Sequence, residues 1–290
     1  MIVSNRPGTR LTRVQLLREI GLSPQWQLRE SAVAVGATPV GATPAATASP
    51  EAALDLRGVA EKAAVAPAQP LVPTADGRAE EIAGMGWEQL RESVAICRAC
   101  SLCQERRQAV LGVGDVTADW LFIGEGPGAE EDARGEPFVG PAGKLLDAML
   151  AAIDLQRGDD VYIANAVKCR PPGNRTPDPA EIATCAPYLK RQIALIQPRL
   201  IVLLGRAAAH ALLGDLGSLA SLRGQSFAYP APAGSARGIP VVVTYHPAYL
   251  LRTLPDKAKA WEDLCRARAL MRTAKASAAE SASPSGARPS

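Results

Sequence analysis

Four of the six cysteines are spaced as two pairs of metal ligands. Cys97 and Cys100 form a C-x2-C turn, and Cys169 and Cys185 form a later C-x15-C pair. A C-x2-C turn lets two thiolates hold one metal ion or cluster, and a second pair completes a four-ligand site. No histidine lies near either pair in the sequence. The spacing therefore leaves a structural zinc ion, a [4Fe–4S] cluster and a set of inert buried thiols as alternatives.

The other two cysteines and the chain ends restrict this reading. Cys103 lies where a fifth ligand could stand, and Cys265 is expected to pack within the final helix. The N-terminus lacks the pattern of a secretory signal, and no apolar stretch is long enough for a membrane span. We therefore expect a reducing compartment, where thiols and metal ligands are more common than disulfides.

Three further segments place polar residues directly after apolar runs. They read GEGPG from Gly124, NAVKC from Asn165 and YHPAY from Tyr245. GEGPG departs from the G-x-G-x-x-G dinucleotide pattern, and Pro127 lacks an amide that could bind a phosphate. These departures argue against an enzyme with a nucleotide cofactor.

The apolar runs themselves alternate with helical patterns. Helices are predicted over 86–99, 142–153, 179–197 and the segment RAAAHALLG, and strands over 119–128, 160–167, 200–205 and 239–247. The runs LIVLL and VVVT are unbroken, which is typical of strands that are buried on both faces of a parallel sheet. The pattern predicts an α/β fold, a three-layer α/β/α sandwich with a central four-stranded, mostly parallel sheet. In such a sheet the residues after the strands meet in one crevice, so Glu125 and its counterparts should converge.

The longer blocks around these segments resemble a known family. GEGPGAEEDARGEPFVGPAGKLLD, NAVKCRPPGNRTPDPAEIATC and YHPAYLLR are similar to the three signature blocks of type-4 uracil-DNA glycosylases, the iron–sulfur members of the uracil-DNA glycosylase superfamily. The resemblance covers about residues 90–272 and includes both cysteine pairs. It implies a [4Fe–4S] cluster, with zinc as the alternative that the spacing allows, and its ligands would be Cys97, Cys100, Cys169 and Cys185.

The resemblance also implies a role for individual residues. The catalytic positions fall on Glu125, Glu131 and His246. The positions that bind uracil fall on the Gly126 backbone, Phe138 as the stacking ring, Asn165 as the reader of the base edge, and His246 facing the base O2. The candidates for DNA contact are Arg170, Arg175 and Arg252, which could bind phosphate, and Leu250 and Leu251. Either leucine could instead be a core residue, or one could wedge into the base stack.

Two positions depart from the family pattern. Ala248 replaces a serine that could contact a DNA phosphate, and Ala129 replaces an acidic residue. Neither is expected to hold uracil, so we expect altered DNA contact and intact chemistry. The GNRTP segment lacks the histidine with which a related branch forms a covalent link to DNA, which favours hydrolysis and release.

These inferences predict a monofunctional uracil-DNA glycosylase that leaves an abasic site, as in base excision repair. The alternative is a non-catalytic protein that binds uracil or abasic DNA and carries a structural metal. The expected partner is DNA that contains uracil, single- or double-stranded, and no membrane. We expect a cytoplasmic monomer, which would associate with the nucleoid in a bacterium.

Composition and charge set the limits of the folded part. The chain has 32 basic and 29 acidic residues, 47% hydrophobic content and only 4% aromatic residues. This near-balance excludes a polybasic coat for nucleic acid. We predict a short helical arm over 1–30 that could bind a protein, a disordered Ala/Pro-rich linker over 31–82, a glycosylase domain over 83–272 and a disordered tail over 273–290.

Overall fold

The computed structural model describes residues 75–214, 216–230 and 238–282. The predicted arm over 1–30, and the predicted linker up to residue 74, lie outside the described residues. The strands are β1 (Val113–Gly114), β2 (Trp120–Gly124), β3 (Val161–Asn165), β4 (Leu200–Leu204), β5 (Phe227–Tyr229) and β6 (Ile239–Thr244). The helices are α1 (Ala75–Gly84), α2 (Trp87–Ile96), α3 (Ala129–Arg134), α4 (Pro141–Ala152), α5 (Pro179–Ile196), α6 (Arg206–Leu213), α7 (Leu219–Leu222), α8 (Pro247–Leu250) and α9 (Asp256–Ala282).

The strands form one sheet in the order β1-β3-β2-β4-β6-β5. The central four, β3, β2, β4 and β6, are parallel, and the short edge strands β1 and β5 pair antiparallel. The predicted class and the parallel central strands are confirmed. The predicted strand number is corrected from four to six, because β1 and β5 are too short and too exposed to give the unbroken apolar signal of a central strand.

The sheet separates two apolar layers, as the alternation of side chains along a strand requires. Trp120 and Phe122 of β2 pack on one face with residues of α4 and α9. Leu121 and Ile123 pack on the other face with residues of α5 and α6. This is the predicted three-layer sandwich.

A third apolar cluster lies outside the sheet and contains the cysteines. Cys169 and Cys185 are buried in it, Cys97 and Cys100 pack against it, and Ile82 of α1 is 1% exposed within it. The folded region therefore begins before the predicted limit at residue 83, because α1 buries apolar surface against α2 and α5.

The folded region also extends beyond the predicted end at residue 272. Helix α9 continues to Ala282 in the structure. Lys275 forms ion pairs with Asp119 and Asp160, at 2.9 Å each, and so fixes this part of the helix to the amino ends of β2 and β3. The first part of the predicted tail is therefore helical.

In the part of the chain that the structure describes, no helix is long and apolar enough to cross a membrane.

Candidate active site

A cleft of about 710 Å³ opens at the carboxyl ends of the central strands. Glu125 follows β2, Asn165 ends β3, Gly205 follows β4, and His246 lies two residues after β6. β3 and β4 lie on opposite sides of β2 in the sheet, so the direction in which strands are added reverses at β2. The cleft lies at this reversal, which is the usual place for a ligand in such a sheet. All the residues predicted to catalyse or to bind uracil line this cleft: Glu125, Gly126, Glu131, Phe138, Asn165 and His246.

Phe138 is held in the cleft wall by a strained backbone. Its φ is 56°, and its side chain is 5% exposed. The Arg157 guanidinium donates to the carbonyls of Pro137 and Phe138 at 2.8 Å each, and a Cβ on Gly143 would come within 1.8 Å of the Phe138 carbonyl oxygen. These contacts support a conformation that a bulky residue seldom adopts, which is common at functional sites.

Asn165 brings an unsatisfied amide oxygen to the same place. Its side chain is 2% exposed, and its Oδ1 has no hydrogen-bond partner among the described residues. A buried carbonyl oxygen without a partner carries a desolvation penalty of about 1–3 kcal/mol. A ligand that donates a hydrogen bond to Oδ1 would remove that penalty.

His246 is presented as a neutral hydrogen-bond donor. Burial and, to a smaller extent, the positive charge of Arg252 lower its pKa to about 4, against the opposing effect of Glu131. Its Nδ1 accepts a hydrogen bond from the Ala248 backbone N–H at 3.1 Å. In a neutral imidazole whose Nδ1 is the acceptor, Nε2 carries the proton. The ring lies 5.4 Å from the Phe138 ring, with an angle of 29° between the planes.

The two glutamates have different environments. Burial raises the pKa of Glu125, and a hydrogen bond from the Thr176 side chain opposes that shift. Glu131 instead accepts from the backbone N–H groups of Val139 and Gly140 with Oε1 and from Gly128 with Oε2, at 3.0–3.1 Å. Glu131 therefore fixes the loop that carries Phe138, whereas Glu125 faces the cleft.

The predicted DNA contacts divide by exposure. Arg252 and Leu251 are exposed, with Leu251 at 42%. Leu250 is 1% exposed and packs in the core, which is one of the two alternatives open for it, so Leu251 is the leucine that is accessible to DNA.

The two other predicted DNA contacts are held by neighbouring side chains. Arg175 forms a two-pronged ion pair with Glu181, at 2.7 and 2.9 Å. The Arg170 Nε donates to Asn174 Oδ1 at 2.7 Å.

Several residues of the site are not among those predicted from the sequence. A Cβ on Gly124 would lie 2.5 Å from both the Phe138 ring and Asn165 Oδ1, and a Cβ on Gly205 would lie 2.9 Å from the His246 Cβ. Arg206, Tyr245 and Tyr249 also line the cleft. Gly205 and Arg206 follow β4, so the rule that ligands meet the ends of strands could have indicated them.

The four predicted metal ligands lie in the third apolar cluster, beside cationic groups. Arg106 donates to Cys169 Sγ at 2.7 Å, and Arg78 lies 3.6 Å from Cys97 Sγ. Burial raises the pKa of Cys185 to about 12, so its thiolate needs a positive partner. Within 75–214, 216–230 and 238–282, no three histidine, cysteine or acidic side chains converge as a single metal ion requires.

Comparison with known proteins agrees with this geometry. Residues 111–265 match the Uracil DNA glycosylase superfamily. The chain is 44% identical over 168 residues to the type-4 uracil-DNA glycosylase of Sulfurisphaera tokodaii, which covers 57% of this chain and 75% of the relative. It is 44% identical over 166 residues to that of Archaeoglobus fulgidus, at 57% and 82% coverage, and 41% identical over 188 residues to that of Thermotoga maritima, at 64% and 94% coverage. The chain therefore belongs to the uracil-DNA glycosylase superfamily, and within it to the type-4 uracil-DNA glycosylases.

Proposed function

We propose that this protein hydrolyses the N-glycosidic bond of uracil in DNA and leaves an abasic site, as a monofunctional glycosylase of base excision repair. The observation that carries the proposal is the buried Asn165 Oδ1, which has no hydrogen-bond partner in the described part of the chain and lies in the wall of a cleft that also holds an aromatic ring and a neutral histidine. The glycosidic bond of a stacked nucleotide is inaccessible, so the nucleotide must first be flipped into this cleft.

Uracil would be recognised by its edge and its face. The Asn165 amide can accept from uracil N3–H and donate to O4, whereas cytosine presents the opposite pattern and would leave both groups unpaired. The Phe138 and His246 rings are 5.4 Å apart, too close for a base between them, which needs about twice the ~3.5 Å contact distance. We therefore place the base against Phe138 from the cleft side, with its O2 towards His246.

The reaction breaks the bond between C1′ and uracil N1, and the bonding electron pair leaves with the base. His246 Nε2–H would donate a hydrogen bond to uracil O2, where negative charge develops. The neutral imidazole already carries this N–H, so it need not first take a proton from solvent. Glu125 would stabilise the cationic sugar and accept a proton from the water whose oxygen bonds to C1′. Glu131 would act through the loop that it fixes.

The cysteine site would hold a [4Fe–4S] cluster on Cys97, Cys100, Cys169 and Cys185. Zinc stays the alternative that the spacing of the four cysteines allows. The resemblance of these cysteine positions to those of the iron–sulfur family is what supports the cluster. When bound, it would order the segments that carry the four cysteines, and Arg106 would compensate its negative charge.

Uracil release from a uracil-containing oligonucleotide tests the activity. We expect release by the wild-type protein from single or double strands, and a loss of at least about 100-fold in Asn165→Ala and His246→Ala. A gel shift on uracil DNA that never yields free base would support the non-catalytic alternative and contradict hydrolysis.

Analysis of bound metal tests the cluster. We expect a brown protein with iron and acid-labile sulfide in equal amounts. A colourless protein with one zinc ion per chain would contradict the assignment. The monomeric state, the cytoplasmic location and a protein partner for residues 1–30 stay predictions.

A further inference from the structure

Lys168 is a buried cation between the cleft and the cysteine site. It is 1% exposed and precedes Cys169 in the chain. Its Nζ donates to the backbone carbonyl of Asn165 at 2.7 Å and to Gln192 Oε1 at 2.5 Å. Both acceptors are neutral, although burying an ammonium group is unfavourable unless it meets compensating charge. The Cys169 and Cys185 thiols lie close enough to interact with that charge.

The Lys168 ammonium donates to an Asn165 carbonyl that no neighbouring strand reaches. The Ala166 N–H donates to the Gly124 carbonyl of β2, so the Asn165 carbonyl points to the opposite edge of β3, because successive backbone groups alternate. On that edge β1 pairs only with Tyr162 and Ile163. The Asn165 carbonyl therefore lies beyond the end of β1, and the Lys168 ammonium takes the place of a ladder donor.

The other contacts of Lys168 are anchored in the core. Gln192 is fully buried, and its Nε2 donates to the Leu111 carbonyl at 2.9 Å and lies 3.3 Å from Tyr162 Oη. The Lys168 backbone N–H donates to Cys185 Sγ at 3.3 Å. The end of β3 is thus connected to α5 by the Lys168 side chain and to the cysteine site by the Lys168 backbone.

We propose that Lys168 is a positioning residue for uracil recognition: it holds the carboxyl end of β3 so that the Asn165 amide faces the base edge. This inference rests on the proposed function. Base discrimination through paired hydrogen bonds needs donors and acceptors placed to within a fraction of an ångström, and a displacement of 1 Å can reduce a rate by about 100-fold. Without the ammonium, the Asn165 carbonyl would be buried without a donor and the strand end would shift.

Binding of two ligands separates positioning from a general loss of structure. Calorimetry with free uracil measures contact with the Asn165 amide, and binding of DNA with a tetrahydrofuran abasic analogue measures contact with the backbone. In Lys168→Met we expect uracil affinity to fall at least tenfold and abasic-DNA affinity to stay within threefold. The double variant Asn165→Ala/Lys168→Met should bind uracil no more weakly than Asn165→Ala, because both changes remove the same interaction.

Control variants make the outcome decisive. Lys190→Met, on the exposed side of α5, should match the wild type in both affinities. Gln192→Met removes the far anchor of Lys168 together with the Gln192 contacts to the Leu111 carbonyl and Tyr162 Oη. It should weaken uracil binding in the same direction by a smaller factor, and it decides the matter if Lys168→Met does not fold.

Two outcomes would overturn the proposal. One is unchanged uracil affinity in Lys168→Met with its visible absorption and melting temperature retained. The other is a parallel fall of both affinities with the melting temperature. A wild-type protein that neither binds nor releases uracil would instead contradict the proposed function.

Discussion

At the scale of single residues, the site moves the pKa values of its two candidate catalysts in opposite directions. Burial raises the pKa of Glu125 above its usual value, and burial with the charge of Arg252 lowers that of His246 to about 4. At neutral pH His246 is therefore a neutral donor, and the Thr176 hydrogen bond favours the carboxylate form of Glu125. This is the pair of protonation states that the proposed bond cleavage needs.

The pH dependence of kcat/KM should identify the group that titrates. Because the pKa of Glu125 is raised and that of His246 is lowered, we expect an acid limb that belongs to Glu125 and lies above the usual range of a glutamate. Thr176→Val should move the limb to higher pH, because the Thr176 hydrogen bond favours the carboxylate. His246→Gln should keep the limb at a lower rate, and Glu125→Gln should remove it. A limb that survives in Glu125→Gln but disappears in His246→Gln would reverse the assignment.

The steric need for glycine at position 124 could not be predicted from the sequence. The residues with functional groups could be recognised in the sequence, since strand ends converge and their motifs are long. The need for glycine at position 124 depends on the approach of Phe138 and Asn165, which lie far along the chain. Only the folded arrangement brings those three residues to one point.

Gly124→Ala should therefore damage the site more than the fold. The new Cβ would meet Phe138 and Asn165 at 2.5 Å, and the displaced side chains should reduce kcat/KM by at least about 100-fold. Overpacking should lower the free energy of unfolding by about 1–3 kcal/mol, measured by urea titration. Gly77→Ala, with nothing within 4 Å of the added methyl, is the matched control and should leave the rate unchanged. A rate within threefold of the wild type in Gly124→Ala would show that Phe138 and Asn165 can shift to admit the methyl group without loss of activity.

At the scale of elements, burial decided which parts could be predicted. The central strands β2, β3, β4 and β6 are buried on both faces, and their unbroken apolar runs indicated them. The edge strands have two and three residues and no such signal. Helix α1 was missed because its sequence, ADGRAEEIAG, has one large apolar residue, Ile82, and its place becomes clear only from the cluster that it covers.

The importance of α1 can be measured with two shortened chains. A chain that begins at Ala75 keeps the helix, and we expect it to melt at the temperature of the full chain. A chain that begins at Met85 loses the Ile82 side chain and the Arg78 contact with the Thr184 carbonyl. Loss of a buried isoleucine costs about 2–5 kcal/mol, so its melting temperature should fall by at least about 5 °C. Equal melting temperatures for the two shortened chains would contradict a domain boundary at residue 75. Ile82→Ala in the full chain is the control, because it removes the buried side chain without shortening the chain.

At the scale of the whole molecule, a nearly neutral protein must bind DNA through few charges. The 21 basic and 20 acidic residues of 83–271 leave little net attraction for phosphates. Arg175 is already committed to Glu181. Arg206 and Arg252 line the cleft, are exposed, and have no ion pair with another described residue. Of the three arginines that line the cleft, these two remain able to bind phosphate.

The salt dependence of binding should reflect this small number. Each phosphate contact contributes about −0.9 to the slope of log K against log salt concentration on duplex DNA, so two to four contacts predict a slope of about −2 to −4. We expect Arg206→Ala and Arg252→Ala each to make the slope shallower by about 1 on an abasic-analogue duplex, measured by fluorescence anisotropy. Arg175→Ala should leave the slope unchanged and lower stability instead, because its guanidinium serves Glu181. A wild-type slope near −8, or an unchanged slope in both cleft variants, would mean that phosphates are bound by a basic surface elsewhere on the chain.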